Sequence, residues 1–382
     1  MSSNINQNTS PSFKVAIVAG EESGDQLGGS LIKQLKKLTP SISYTFIGVG
    51  GNKMQQEGLN SFFDMERISV MGLIDPLLRI KELLQLRKEL KNFLIKESPD
   101  IFIGIDSPDF NLPISKDLKG HGIKTVQYVS PTIWAWRQGR LKTIEKSVDN
   151  VMNLFPFENK AYENSSVRTT FVGHPLAHKI PKKINKQELK EERFSIKNKK
   201  MIALLPGSRK SEIKKMSSLF IDAAKLIKLN NPNICFYMPL TDLKFKEFIK
   251  GHETLNWINF SEGNSQEVLS AADLAIVTSG TASLEAALFR TPSVVAYKTN
   301  WITYLLLKPF LKINTFALPN LLAEKEIFPE LIQSDVTKYK ILEAFNNIDK
   351  NREKLLKEID LIHSLLESDG PQTAAKTIFQ IL

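Results

Sequence analysis

Residues 201–240 read MIALLPGSRKSEIKKMSSLFIDAAKLIKLNNPNICFYMPL. An apolar run, Met201 to Leu205, stops at Pro206-Gly207, a stretch of helical character follows, and a second β-rich run opens at Ile234. Strand, helix, strand in that order is the pattern of parallel strands joined by crossover helices. The alternation continues in both directions. Upstream, β-rich runs fall at Lys14–Ala19, Tyr44–Gly48, Ile101–Ile105, Thr125–Val129, Val151–Leu154 and Thr170–Val172; downstream they fall at Trp257–Phe260, Leu274–Val277, Ser293–Tyr297 and a short Thr315–Ala317. Six candidate strands on each side of Ile180 predict an α/β protein of two doubly wound, Rossmann-like domains facing a cleft. The halves share architecture and no sequence repeat.

Length agrees, since 382 residues exceed what one hydrophobic core ordinarily supports. The predicted division is a polar tail over 1–12, an N-terminal domain over 13–180, a linker over 181–200, a second domain over 201–360, and a C-terminal helix over 361–382 that returns to the first domain. That last stretch is interrupted at Asp369-Gly370-Pro371. The tail holds no Lys or Arg and does not read as a secretory signal. No run approaches the ~18 apolar residues of a membrane span. A single cysteine, Cys235, cannot close an intrachain disulfide.

The formal charge of +10 points to anionic partners. Half of the excess lies in Pro181–Lys200, where 8 basic residues face 3 acidic ones with little apolar periodicity, the pattern of a solvated linker. A second excess, with Arg79, Lys81, Arg87, Lys88, Lys91 and Lys96, shares the segment Pro76–Lys96 with leucines at helical spacing. That is an amphipathic basic helix: its apolar face either packs on a sheet or meets a membrane together with its basic side. Nucleic acid is disfavoured, because no helix combines clustered Arg and Lys with base-stacking aromatics.

In open parallel sheets ligands sit beyond the carboxyl ends of strands. After the first strand comes GEESGD (20–25), with Glu22 and Ser23; three carboxylates in this loop and the glycine spacing argue against a dinucleotide fingerprint and leave a sugar-binding or capped structural turn. After the third comes GIDSPDF (104–110), where Asp106, with an ordinary pKa near 4, either accepts a proton from a substrate hydroxyl or caps a turn. YVSPTIWAWRQGR (128–140) offers Trp136, Arg137 and Gln138 beside the crevice. His174 and His178 are four apart, but with no third ligand nearby a metal site is not expected. In the second half, LLPGSR (204–209) places Arg209 as an anion fork, and SGTASLE (279–285) offers Ser279, Gly280, Thr281 and a helix N-terminus to a diphosphate, with Glu285 one turn further on.

Together with GHPLAH (173–178) and ALPNLLAE (317–324), these motifs, in this order and from about Val15 to the C-terminus, resemble the lipid-A-disaccharide synthase family of GT-B-type inverting glycosyltransferases. The resemblance implies a UDP-2,3-diacylglucosamine donor, a 2,3-diacylglucosamine 1-phosphate (lipid X) acceptor, a β-1,6-linked product, release of UDP, and no cofactor or required metal. It implies that Asp106 is the base, that Arg209 meets the diphosphate, and that Glu285 and Asn320 lie at the donor site. It also implies that Val70, Met71, Leu73 and Ile74, with Arg79 nearby, meet an anionic membrane at the cytoplasmic face of the inner membrane. His178 departs from the Asp that many relatives carry after GHPLA. Whether the chain acts as a homodimer is left open. Another UDP-sugar transferase or epimerase of the same architecture would share LPGSR and SGTASLE but not WAWRQ.

Overall fold

The computed structural model describes residues 11–69, 79–134, 138–298 and 315–382. It divides into two units, residues 1–175 with 368–382, and residues 176–367.

In the first unit the chain runs β1 (Ser12–Ala19), α1 (Glu22–Leu38), β2 (Ser43–Val49), α2 (Asn52–Gln56), β3 (Leu59–Ser61), α3 (Ile80–Glu97), β4 (Ile101–Ile105), α4 (Pro108–Gly120), β5 (Lys124–Tyr128), α5 (Leu141–Ser147), β6 (Asn150–Asn153) and β7 (Arg168–Phe171). The seven strands form a parallel sheet in the order β3-β2-β1-β4-β5-β6-β7. β1 explains why: Val15, Ile17 and Ala19 enter one buried cluster and Ala16 and Val18 another, so both faces are covered, as continuous apolar parallel strands require. The first cluster takes Leu27, Leu31 and Leu35 from α1; the second takes Leu86, Leu90 and Leu94 from α3. The apolar stripe of the basic helix is thus mostly core, while Ile80 and Leu84 on the same helix stay exposed.

The second unit contains α6 (Pro175–Lys179, which begins at the boundary), α7 (Lys186–Phe194), β8 (Lys200–Leu205), α8 (Lys210–Asn230), β9 (Ile234–Leu240), β10 (Ile258–Glu262), α9 (Ser265–Ala271), β11 (Leu274–Thr278), α10 (Thr281–Leu288), β12 (Ser293–Tyr297), α11 (Leu318–Ala323), β13 (Glu330–Ile332), α12 (Lys338–Lys350) and α13 (Arg352–Leu366). Its parallel sheet is ordered β10-β9-β8-β11-β12-β13. α14 (Gly370–Ile381) belongs to the first unit, where Ala374, Ala375 and Ile378 join the cluster under α1. Its start is set by Asp369, whose carboxylate accepts from the Gln372 N–H, with Pro371 in the first turn.

Three readings need correction. Thr315–Ala317 is not a strand: the N–H groups of Phe316 and Ala317 and the Thr315 hydroxyl donate to the Glu330 carboxylate, so no ladder forms there. The sixth strand of that sheet is β13, and β3 was also missed; each is three residues, too short to show a period. Residues 181–200 are not a bare solvated linker, because they hold α7 and two lysines that enter the fold. Lys186 donates to the carbonyls of Leu269 and Ala272 and to the Thr291 hydroxyl, and burial pushes its pKa well down. Lys190 is buried in an ion pair with Asp273 at 3.0 Å.

Each sheet reverses direction of growth once, between β1 and β4 in one unit and between β8 and β11 in the other. Such switch points open a crevice at the strands' carboxyl ends. The two crevices are lined by the loops after these strands: Gly20 and Asp106 in the first unit, Gly207–Arg209 and Ser279–Thr281 in the second.

Candidate active site

At the first switch point the backbone is strained. Asp106 and Ser107 have φ of 49° and 35°, and Val129, at the end of the neighbouring strand β5, has φ of 74°. Left-handed backbone is rare for non-glycine residues and unfavourable for a β-branched one, and strain of this kind collects at functional sites. The turn directs the Asp106 carboxylate toward the β1–α1 loop. Oδ1 accepts from the Gly20 N–H at 3.1 Å; Oδ2 is buried with no hydrogen-bond partner among the described residues. A Cβ on Gly24 would stand 2.0 Å from Oδ2, so only glycine admits the carboxylate here. Burial pushes the Asp106 pKa up to about 7, against the Ser107 hydroxyl and the Gly20 N–H, which hold it down. The ordinary, fully ionised aspartate expected from the sequence is therefore replaced by one that titrates near neutrality, the range suited to a general base.

Glu22 and Ser23 are exposed in the first turn of α1, whose N-cap, Glu21, makes no side-chain cap. Asp25 in the same motif turns away and accepts from the N–H groups of Lys53 and Met54, capping α2. Among the aromatics beyond β5 to β7, Trp134 packs edge-on against Phe157, Phe157 stacks on Phe155, and Phe155 on His174. Burial lowers the His174 pKa to about 4, so it stays neutral at pH 7; His178 is exposed on α6. Glu158 is buried beneath, accepting from the Leu154 and Phe155 N–H groups, and its pKa rises to about 7 through burial. Trp136 and Arg137, together with Val70, Met71, Leu73 and Ile74, lie outside the described residues; of Gln138 only the backbone, opening a 3-10 turn, is described. Arg79 is engaged by Glu82 and by the Arg67 carbonyl.

The second switch point is a cleft of about 420 Å³ lined by Gly207, Arg209, Thr241, Ser279, Thr281 and Glu285, among others. Arg209 is the N-cap of α8 and largely exposed; Glu212 accepts from the Ser208 and Arg209 N–H groups and pairs with the Arg209 guanidinium at 3.1 Å. The guanidinium is thus oriented by the Glu212 carboxylate. Gly280, with φ of 147° and no atom within 4 Å of a Cβ position, lets α10 start flush with the cleft wall. The N–H groups of a helix's first turn have no acceptor inside that helix and favour anions. Glu285, one turn on, is mostly buried and accepts from Gln266 at 2.8 Å; burial raises its pKa. Ser279 donates to the Phe316 carbonyl at 3.3 Å, and the Thr278 hydroxyl is buried with no partner among the described residues.

Asn320 does not belong to this cleft. It is buried, its amide donates to the Phe328 carbonyl and the Glu330 carboxylate, and its oxygen accepts from Ile327 and Phe328. Its hydrogen-bonding capacity braces the loop between α11 and β13. Conversely, sequence reasoning missed Glu212, Thr241 and Gln266. Glu212 had a signal, a carboxylate three residues past a helix-opening Arg209, and Thr241 directly follows a strand; nothing marked Gln266.

Two parallel doubly wound units of this kind make the GT-B fold of glycosyltransferases and related epimerases. Solved structures of that class share the fold: a putative UDP-N-acetylglucosamine 2-epimerase from Listeria monocytogenes (TM-score 0.63, 13% identity, 96% of this chain and 95% of that one) and a kitacinnamycin glycotransferase (TM-score 0.61, 15% identity, 97% and 99%). A narrower family follows from sequence. The family model described as lipid-A-disaccharide synthetase matches residues 15–379. Proteins named lipid-A-disaccharide synthase from Idiomarina loihiensis and Pseudomonas aeruginosa are 42% and 40% identical to the chain over 374 residues, covering 97% of it and 98% of each relative. The chain belongs to the lipid-A-disaccharide synthetase family.

Proposed function

We propose that this hexosyltransferase joins UDP-2,3-diacylglucosamine to 2,3-diacylglucosamine 1-phosphate, forming the β-1,6 disaccharide of lipid A and releasing UDP. The observation that carries the reading, in a chain of this family, is the division between a buried carboxylate at one switch point and an open anion cleft at the other. Asp106 takes the proton of the acceptor 6-hydroxyl as that oxygen bonds to the anomeric carbon of the donor. The bond from that carbon to the UDP phosphate oxygen breaks with inversion, and UDP leaves with the bonding pair. Arg209 and the first turn of α10 stabilise the charge that develops on the leaving diphosphate. Glu285, oriented by Gln266, accepts from donor hydroxyls.

Both lipids present their sugars at a membrane surface, and the protein works there as a peripheral enzyme on the inner membrane's cytoplasmic face. No helix among the described residues is long and apolar enough to cross a membrane. Exposed Phe62, Ile80 and Leu84, with Arg67 and Arg79 beside them in sequence, flank residues 70–78. The test is direct: incubated with both dispersed lipids, the chain should yield disaccharide 1-phosphate and UDP in equal amounts. Absence of product would overturn the assignment, and failure to bind anionic liposomes would overturn the membrane reading alone.

A further inference from the structure

Asp106 and Val129 are the two strained residues at the carboxyl ends of neighbouring strands, and one side chain lies under both. Gln127, fully buried in β5, donates from Nε2 to the Asp106 carbonyl at 2.9 Å and to the Val129 carbonyl at 3.3 Å. From the other side Asn111, fully buried on α4, donates from Nδ2 to the same Asp106 carbonyl at 3.2 Å, and to the carbonyls of Ile105 at 3.2 Å and Val18 at 3.4 Å. Asn111 thereby ties the ends of β1 and β4, the two strands of the switch point. The amide oxygens, Asn111 Oδ1 and Gln127 Oε1, are both buried without a hydrogen-bond partner among the described residues. Two carboxamides left half-satisfied in a core are costly unless their donors are needed where they are. A leucine or methionine at either position would fill the space and remove the orphaned amide oxygen, giving up only the donors to these carbonyls.

We infer that Asn111 and Gln127 are positioning residues for the base: their amides clamp the Asp106 carbonyl, fix the left-handed turn, and so hold the carboxylate against Gly20 and Gly24. The inference rests on the reading of Asp106 as the base. Without the clamp the peptide relaxes toward ordinary φ, the carboxylate swings away from Gly24, and water reaches it. The charged group acting on the carboxylate in the native turn is Glu21, which raises its proton affinity. Its neighbours Gly24 from α1, Asn111 from α4 and Gln127 from β5 do not titrate.

The experiment compares Asn111→Leu and Gln127→Met, alone and in the Asp106→Asn background, by kcat, KM, UDP affinity and the pH dependence of kcat. Each single variant should lose turnover by about 10²-fold, the scale of a misplaced reacting group, with UDP affinity within twofold. The acid limb of kcat should move down in pH as the carboxylate becomes solvated. In the Asp106→Asn background neither variant should cost further turnover, since a residue acting through Asp106 has nothing left to position. Equal losses with and without Asp106, or an unmoved acid limb, would assign the amides a role in folding alone and overturn the inference. If Asn111→Leu does not fold, Gln127→Met on β5 decides it by the same readouts. Near wild-type turnover in Asp106→Asn itself would instead remove the base reading, a result distinguishable from the failure of the clamp.

Discussion

The two switch points have the same topology and opposite character. In the first unit the β4 turn is enclosed and strained: a carboxylate oxygen buried without a partner among the described residues, left-handed backbone at three residues, and buried amides against it. In the second unit the β8 and β11 loops border an open cleft, its arginine exposed and paired with Glu212. The contrast fits the roles proposed for the two sites. A proton acceptor gains basicity from desolvation and accuracy from rigidity, whereas a diphosphate brings its own charge and needs donors that solvent keeps available.

Sharp tests of that contrast differ in expected size. Asp106→Asn should lower kcat by about 10²–10⁴-fold, the range for a positioned general base. The same variant should be more stable than the parent at pH 8. The Asp106 pKa in the fold, about 7, lies above its ordinary 3.8, so between pH 4 and 7 the native state holds a proton that the unfolded chain has released, and stability falls as pH rises through that window. A shift of this size corresponds to roughly 4 kcal/mol. Thermal unfolding at pH 5 and 8 checks it: the parent should lose stability between the two, and Asp106→Asn should lose less by the Asp106 share, the buried Glu158 keeping its own.

Gly24→Ala comes next, because its Cβ would collide with Asp106 Oδ2; turnover should fall about 10²-fold while UDP affinity holds. Arg209→Ala should weaken UDP binding by about tenfold or more, the usual loss for a charge-assisted hydrogen bond, and leave the pH dependence of kcat in place. Unchanged UDP affinity on calorimetry would remove Arg209 from the cleft's function. Smallest of all, EDTA should leave turnover within about twofold, since a cationic fork and a helix N-terminus supply the stabilisation assigned to the second unit.

How far the sequence reaches differs between the same two regions. The strands were legible because parallel strands covered on both faces are continuous apolar runs, and the rule that ligands sit at strand ends led to the loops after them as candidate positions. That rule led to Asp106 and Arg209, and the fold places them after β4 and β8. The proton affinity of Asp106 was not legible, because it comes from burial among elements distant in sequence, with Gly24 of α1 closing over the carboxylate. Asn320 illustrates the converse: a motif residue whose neighbours in space, Ile327, Phe328 and Glu330, occupy its hydrogen bonds. The charge count misled for a related reason, since Lys186 and Lys190 look solvated in a lysine-rich run but end inside the second unit. Where a property belongs to one residue and its immediate neighbours, sequence conveys it; where it belongs to a packing arrangement, it emerges only with the fold.

The division of labour is tested most directly by measuring kcat at saturating lipids and UDP affinity side by side from pH 5.5 to 8.5. Proton chemistry confined to Asp106 predicts that kcat falls about tenfold per pH unit below about 7 while UDP affinity stays level. A kcat that is flat down to pH 5.5, or a parallel fall in both quantities, would contradict it.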